Sequence, residues 1–325
     1  MREQERENTD MTTTFDAYRS QAKDWGRWGP DDEIGRANLL HAERVLSASR
    51  LIQTGERFCL AIPIGSPGGD PSLPGRNPGT HTMTQAATDY SAGGTKPLAG
   101  GMQYADDRFE LACHGTTHMD ALGHAFADDT IWNGRPANSD VNGLHAADVA
   151  ALARKGVVGR AVLVDLARKR GVEYLPMNTA ITVQEIEDTL EHQNVSLEAS
   201  DTLILRTGIF NLFYKDGPEP FYRDFAEPGL LYEQRTIDFF REHDLAGLGS
   251  DTMCNEQAHN EAHDAYFPLH VMLQRNLGVI FHEALWLDDW AAYCAQVNRY
   301  AAFYVATPLR IVGASGAPMN PVAIM

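Results

Sequence analysis

The chain has 325 residues, enough for one large domain or two, with an ordinary hydrophobic content of 43%. Its 44 acidic and 27 basic residues leave a formal charge of −17. Nucleic acid and anionic membrane surfaces both demand a basic face, so neither is an expected partner. No run of about eighteen apolar residues occurs, so no membrane-spanning helix is expected.

Residues 1–14 are polar and charged, without the apolar run of a secretory signal, and read as a flexible tail. Residues 15–325 read as a single domain with no internal repeat. Cys59, Cys113, Cys254 and Cys294 are far apart and form no CxxC pair. That spacing fits a reducing, cytoplasmic compartment, and Cys113 is expected to be a buried small hydrophobe.

In chain order, 15–23 reads as a short helix leading into a Gly- and Pro-rich segment that carries Trp25 and Trp28. His41 to Gln53 reads as a helix with Ala42, Val45, Leu46 and Leu51 available for burial. Phe58 to Ile64 reads as a strand. From Gly65 to Gly101 Gly, Pro, Ser and Thr crowd the chain and no apolar period survives, which marks a long loop. His81 within it could face a substrate, but it reads better as a surface histidine. Tyr104 to Cys113 is the strand expected to deliver the next segment. Trp132 to Gly134 is a turn, and Ala146 to Leu152 an amphipathic helix. Val157 to Asp165 is a continuous apolar run ending in an acid, the pattern of a strand buried on both faces. Val183 to His192 is a helix capped by Thr182.

Asp201 to Gly208 is another buried strand. Arg206 near its end could bind a substrate carboxylate, although pairing with an internal acid is the stronger reading. Leu231 to His243 is helical and Leu245 to Asp251 a short strand. His259 and His263 stand at helical spacing among acids and read as a solvated face. Trp286 to Val297 is helical, Tyr300 to Val312 extended in two pieces, and the residues from Gly313 to Val322 turn-forming. Helices alternating with apolar strands indicate a mixed α/β domain.

The densest chemistry lies in Cys113-His-Gly-Thr-Thr-His-Met-Asp-Ala-Leu-Gly-His-Ala-Phe126, which holds three of the twelve histidines. A helix would turn Asp120 roughly 240° away from His114. An extended chain instead sends the even-numbered His114, His118, Asp120 and His124 to one side. Gly115 and Gly123 break a long strand, so a short strand or loop around His118 to Asp120, flanked by two bends, is expected. Imidazole and carboxylate suit zinc, manganese or iron(II), and three such ligands leave positions open for water and substrate.

The run from His114 to His124 resembles the signature of the metal-dependent cyclase family, which includes kynurenine formamidase, isatin hydrolase and a trans-dienelactone hydrolase. The family pattern is roughly His-x-Gly-Thr-His-x-Asp-x-Pro-x-His. Here the glycine directly follows the first histidine, and Leu122 replaces the proline. The Trp-Gly-Pro-Asp-Asp-Glu-Ile-Gly segment from Trp28 is similar to the opening of the family's longer branch.

The resemblance implies a swivelling β/β/α cyclase-like fold, with a mixed sheet and flanking helices, assembled as a homodimer or homotetramer. It implies His114, His118 and Asp120 as ligands of a divalent Zn²⁺ or Mn²⁺ ion. His270 and Glu283, about a dozen residues apart across a helix and the next strand, would complete that shell or hold a second ion, with Glu283 rather than His282 facing inward. His124 would carry protons. The expected activity is metal-dependent hydrolysis of an amide, lactam, ester or lactone in a small substrate, with Trp25, Trp28 and Trp132 suggesting an aromatic one. A lyase or cyclase acting on an enolisable carbonyl, and a non-catalytic metal-binding protein, are the alternatives.

Overall fold

The computed structural model describes residues 22–67, 69–262 and 264–325. The expected tail, all but the end of the expected helix over 15–23, and His263 lie outside the described residues; residues 22 and 23 are not helical.

A nine-stranded mixed sheet forms the frame, in the order Arg57–Cys59, Val322–Ile324, Ala301–Ala306, Val157–Asp165, Thr202–Arg206, Gly247–Ser250, Ile280–Glu283, His118–Asp120, Gly316–Pro318. The four strands from Val157–Asp165 to Ile280–Glu283 run parallel, and antiparallel strands extend the sheet on both sides. The parallel strands carry apolar side chains on both faces because both faces are covered. Val162, Val164, Leu203 and Leu205 enter one core, while Ala161, Leu163 and Ile204 enter the other.

Helices cross between the parallel strands. Val183–His192 begins where the Thr182 hydroxyl accepts the Glu185 N–H at 3.2 Å, a cap worth about 1 kcal/mol. Gln234–Glu242 makes the next crossing, and a π-helical turn, His270–Asn276, feeds the strand that ends at Glu283. All four strands therefore end on one edge of the sheet, where open α/β sheets place their ligands.

Several elements differ from the expectation. The first helix spans Ala42–Ser49 and buries Ala48, leaving Leu46 exposed. The strand expected over 58–64 is only Arg57–Cys59. The loop of 65–101 contains the strand Thr80–Gln85 and the short helix Ala87–Ser91. The strand before the histidine-rich run is Asp106–Glu110, which pairs with Thr80–Gln85 in an exposed hairpin outside the main sheet. No apolar period marks these strands because neither face is covered. The helix expected over 146–152 starts later, at Val149, because the Asp148 carboxylate accepts the Ala151 N–H and fixes the cap. The turn-forming end supplies two sheet strands, Gly316–Pro318 and Val322–Ile324, too short to show an alternation. Cys113 is half-buried rather than buried. No helix of the described residues is long and apolar enough to cross a membrane.

Candidate metal centre

The site is built on the short strand His118–Asp120, which enters the sheet antiparallel to Ile280–Glu283 and places His118 opposite Glu283. Bends precede and follow it. The buried Thr117 hydroxyl fastens the entry: it accepts the Ile62 N–H at 2.9 Å and donates to the Ala284 carbonyl at 2.5 Å. A side-chain hydroxyl thus replaces ladder bonds that so short a strand lacks.

Each imidazole is oriented by the nitrogen that points away from the centre. His118 Nδ1 donates to the Thr116 carbonyl at 2.7 Å, which leaves Nε2 inward, 3.4 Å from Asp120 Oδ1 and 3.2 Å from Glu283 Oε2. His270 Nδ1 donates to Glu256 Oε1 at 2.6 Å, leaving Nε2 within 3.7 Å of Asp120 and 3.6 Å of Glu283. His114 meets Ser315 Oγ at 3.0 Å through Nε2, while Nδ1 stands 2.9 Å from Asp120 Oδ1. A carbonyl, carboxylate or hydroxyl on the outer nitrogen is how proteins present imidazole to a metal. Gly316 permits the His114 pose, since a Cβ there would lie 2.5 Å from His114 Cε1.

His114 Nδ1, His118 Nε2 and Asp120 Oδ1 are buried, and none makes an aligned hydrogen bond. Buried polar atoms are ordinarily satisfied, so three orphaned atoms clustered within 4.8 Å mark a place for a cation. The two-nitrogen, one-oxygen donor set suits zinc or manganese. Asp120, His124 and His270 form a second such trio that shares Asp120.

The field agrees with the geometry. Burial opposes charge on His118, but Asp120 and Glu283 outweigh it and raise the imidazole to about 9. Burial likewise opposes charge on His270, and Glu256 outweighs it, again to about 9. Asp120 is held well below the usual carboxylate range by His124, His114 and His118, despite its burial. The pocket therefore demands positive charge. His124 is the exception: burial pushes it down to about 3 over the pull of Asp120. It stacks on His114, with ring centroids 4.2 Å apart.

All six residues proposed for the site from sequence meet here: His114, His118, Asp120, His124, His270 and Glu283. Glu283 faces the centre, whereas His282 points away and meets the Tyr304 hydroxyl at 3.0 Å. Arg206 pairs with Asp165 and Asp288 and takes no part. His81 pairs with Asp107 on the exposed hairpin, and His259 pairs with Asp264. Trp25, Trp28 and Trp132 do not line the cavity; Trp132 is buried in the core and Trp25 and Trp28 pack against the same cluster. They clamp the core, and the aromatic walls come from Phe126, Tyr266 and Phe267 instead.

Sequence reasoning missed Glu256, Gln274, Asn255 and Ser315. Glu256 also accepts the N–H groups of Leu269 and His270. Gln274 donates to Asp120 Oδ2 at 3.2 Å, and Asn255 to Glu283 Oε1 at 3.2 Å. Gln274 stands four residues after His270 and carried a readable signal of that spacing; Ser315 carried none. The centre opens on a cavity of about 310 Å³.

Residues 10–257 match the model of a family named Cyclase, described as "Putative cyclase". A solved structure described as a novel cyclase shares 35% identity over 94% of this chain and all of its own, with a TM-score of 0.85. Isatin hydrolase A from Ralstonia solanacearum shares 19% identity over 87% of this chain and 97% of its own, at a TM-score of 0.61. An isatin hydrolase bound to the product analogue thioisatinate shares 18% over 88% and 99%, at 0.57. These two share the fold with this chain. None of the curated proteins matches the sequence.

Proposed function

The chain belongs to the Cyclase family, and from that premise we propose that it is a metal-dependent hydrolase opening an amide, lactam, ester or lactone bond in a small substrate. The observation that carries this reading is the set of three buried ligand atoms without an aligned hydrogen bond, next to a cavity lined by His124, His270 and Glu283. A structural metal site would be closed on all sides.

His114, His118 and Asp120 would hold the ion, and His270 and Glu283 would either complete its shell or hold a second ion. A divalent cation in such a site lowers the pKa of water from about 15.7 to about 7 and polarises a carbonyl. Glu256, Gln274, Asn255 and the Thr116 carbonyl fix the ligands so that they need not reorganise during reaction.

His124 lines the cavity. One of its ring nitrogens lies within 4.8 Å of ligand atoms of Asp120 and His270. At that nitrogen it would accept a proton from the attacking water and return it to the departing nitrogen or oxygen. Positioned transfer of this kind contributes about 10²- to 10⁴-fold.

The test is metal content of the purified protein followed by turnover of isatin, a dienelactone and N-formylkynurenine in heavy-oxygen water. Hydrolysis places label in the product; turnover without label would point to a lyase. His124→Ala is expected to keep its metal and lose about 10²- to 10⁴-fold in kcat. Unchanged turnover would remove His124 from the mechanism.

A further inference from the structure

The cavity beside the metal centre is mostly apolar, walled by Leu73, Phe126, Met253, Phe267 and Val271. Its acid is Glu283, backed by the buried Asp120, in a chain already strongly negative. One permanently cationic side chain lies among the described residues that line it, Arg76. Its Nη1 donates to the His114 carbonyl at 2.5 Å. Among the described residues no carboxylate pairs with its guanidinium, unlike Arg36, Arg160 and Arg206, each of which meets an acid within 3.0 Å.

The segment that carries Arg76 is held in place. The Tyr222 hydroxyl accepts the Ser72 N–H and donates to the Ser72 carbonyl, both at 2.9 Å. The Arg76 N–H closes a turn on the Leu73 carbonyl at 3.1 Å. A half-buried guanidinium is thus presented at the cavity wall beside a metal ligand, with most of its five donors unspent. Once a divalent ion is held there, a second cation beside it is unfavourable unless an anion lies between them.

From this we propose that Arg76 binds a carboxylate carried by the substrate, so that the enzyme acts on small monoanionic acids with an apolar or single-ring body. The proposal rests on the hydrolase reading of the same cavity. The planar fork fits a carboxylate through two parallel hydrogen bonds, and about 310 Å³ accommodates a ring with one such group.

Isothermal titration of the Mn²⁺-loaded full chain with benzoate and with benzamide tests it, since the two ligands have nearly the same shape and differ in charge. Benzoate is expected to bind about tenfold or more tightly than benzamide. Arg76→Gln removes that preference, and Arg76→Lys keeps part of it. Equal binding of the two ligands, a benzoate preference intact in Arg76→Gln because the metal alone takes the carboxylate, or binding of neither, overturns the proposal. The heavy-oxygen assay on the same preparations separates the two claims. An Arg76-dependent preference without hydrolysis sinks the hydrolase reading alone; hydrolysis without that preference sinks the role of Arg76 alone.

Discussion

Two buried charged clusters sit on the same edge of the sheet, at the ends of its parallel strands, and they have opposite characters. One gathers around Arg206 and Asp165, paired residues at the ends of neighbouring strands. The other gathers around Glu283, two strands further along.

In the first cluster the charges meet one another. Arg206 Nη1 donates to Asp165 Oδ1 at 2.7 Å and its Nε to Asp288 Oδ1 at 3.1 Å, while Asn211 donates to the other Asp288 oxygen at 3.1 Å. Asp251 nearby accepts from the Thr207 N–H and hydroxyl and from the Gly208 N–H. In the second cluster three ligand atoms are left over, and their neighbours His124, His270 and Glu283 line a cavity. A closed cluster holds strands in register, whereas an open one at the same topological position can hold a ligand. Burial and charge alone do not separate structure from function; the remaining valence does.

The largest effect that would sharpen this contrast comes from the open cluster. His118→Ala removes the imidazole that stands 3.4 Å from Asp120 and 3.2 Å from Glu283. Bound metal measured by elemental analysis is expected to fall to the background, and turnover by more than about a thousandfold. Chelation of the unaltered protein should lower its unfolding midpoint, since a ligand at a thousandfold excess over its Kd contributes about 4 kcal/mol. Full metal content in His118→Ala would break the comparison.

The closed cluster gives the next effect, in a different observable. Arg206→Met takes the buried cation from Asp165, which keeps only the half-exposed Arg168, and from Asp288, which is partly exposed. Removing one partner of a buried pair costs about 3–5 kcal/mol, and partial solvation of Asp288 places the expected loss near about 3 kcal/mol. Urea unfolding should report that loss while metal stoichiometry stays at the unaltered level. A variant that lost metal with no change in stability would mean the two clusters are one site.

How far each cluster could be read from sequence follows the same division. Arg206 sits in an apolar run, so its need for an internal acid was legible, although its partners, Asp165 and Asp288, are separated from it by 41 and 82 positions. Likewise His114, His118, Asp120 and His124 lie within eleven residues; strand parity puts His118 and Asp120 on one face, and the bends on either side bring in His114 and His124. His270 and Glu283 needed a family likeness, because no local period joins a π-helical turn to a strand end. Ser315 and Glu256 were out of reach, since what places them is the register of the sheet and the fold of the loop after Gly247–Ser250. Val157–Asp165 and Val183–His192 were read to the residue, one from a two-faced apolar run and the other from a hydroxyl cap. The strand Thr80–Gln85 escaped because it leaves no apolar pattern, and its partner Asp106–Glu110, expected within Tyr104 to Cys113, was not expected to pair outside the main sheet.

Gln274 gives the smallest effect and separates holding a ligand from being one. It lies one helical step beyond His270 and donates to Asp120 Oδ2 at 3.2 Å, an oxygen that also faces His270 Nε2 at 3.7 Å. Gln274→Leu keeps the volume and removes the N–H, so Asp120 is free to turn. Partners of this kind are worth about 10- to 100-fold in metal affinity, and competition with a chromogenic chelator should find a loss near the lower end. The metal-free protein should unfold at the same urea concentration or slightly above, because the substitution also removes the unpartnered Gln274 Oε1. An affinity unchanged in Gln274→Leu would mean that His114 and His118 alone fix the carboxylate. The open cluster would then need no support from the turn that carries His270.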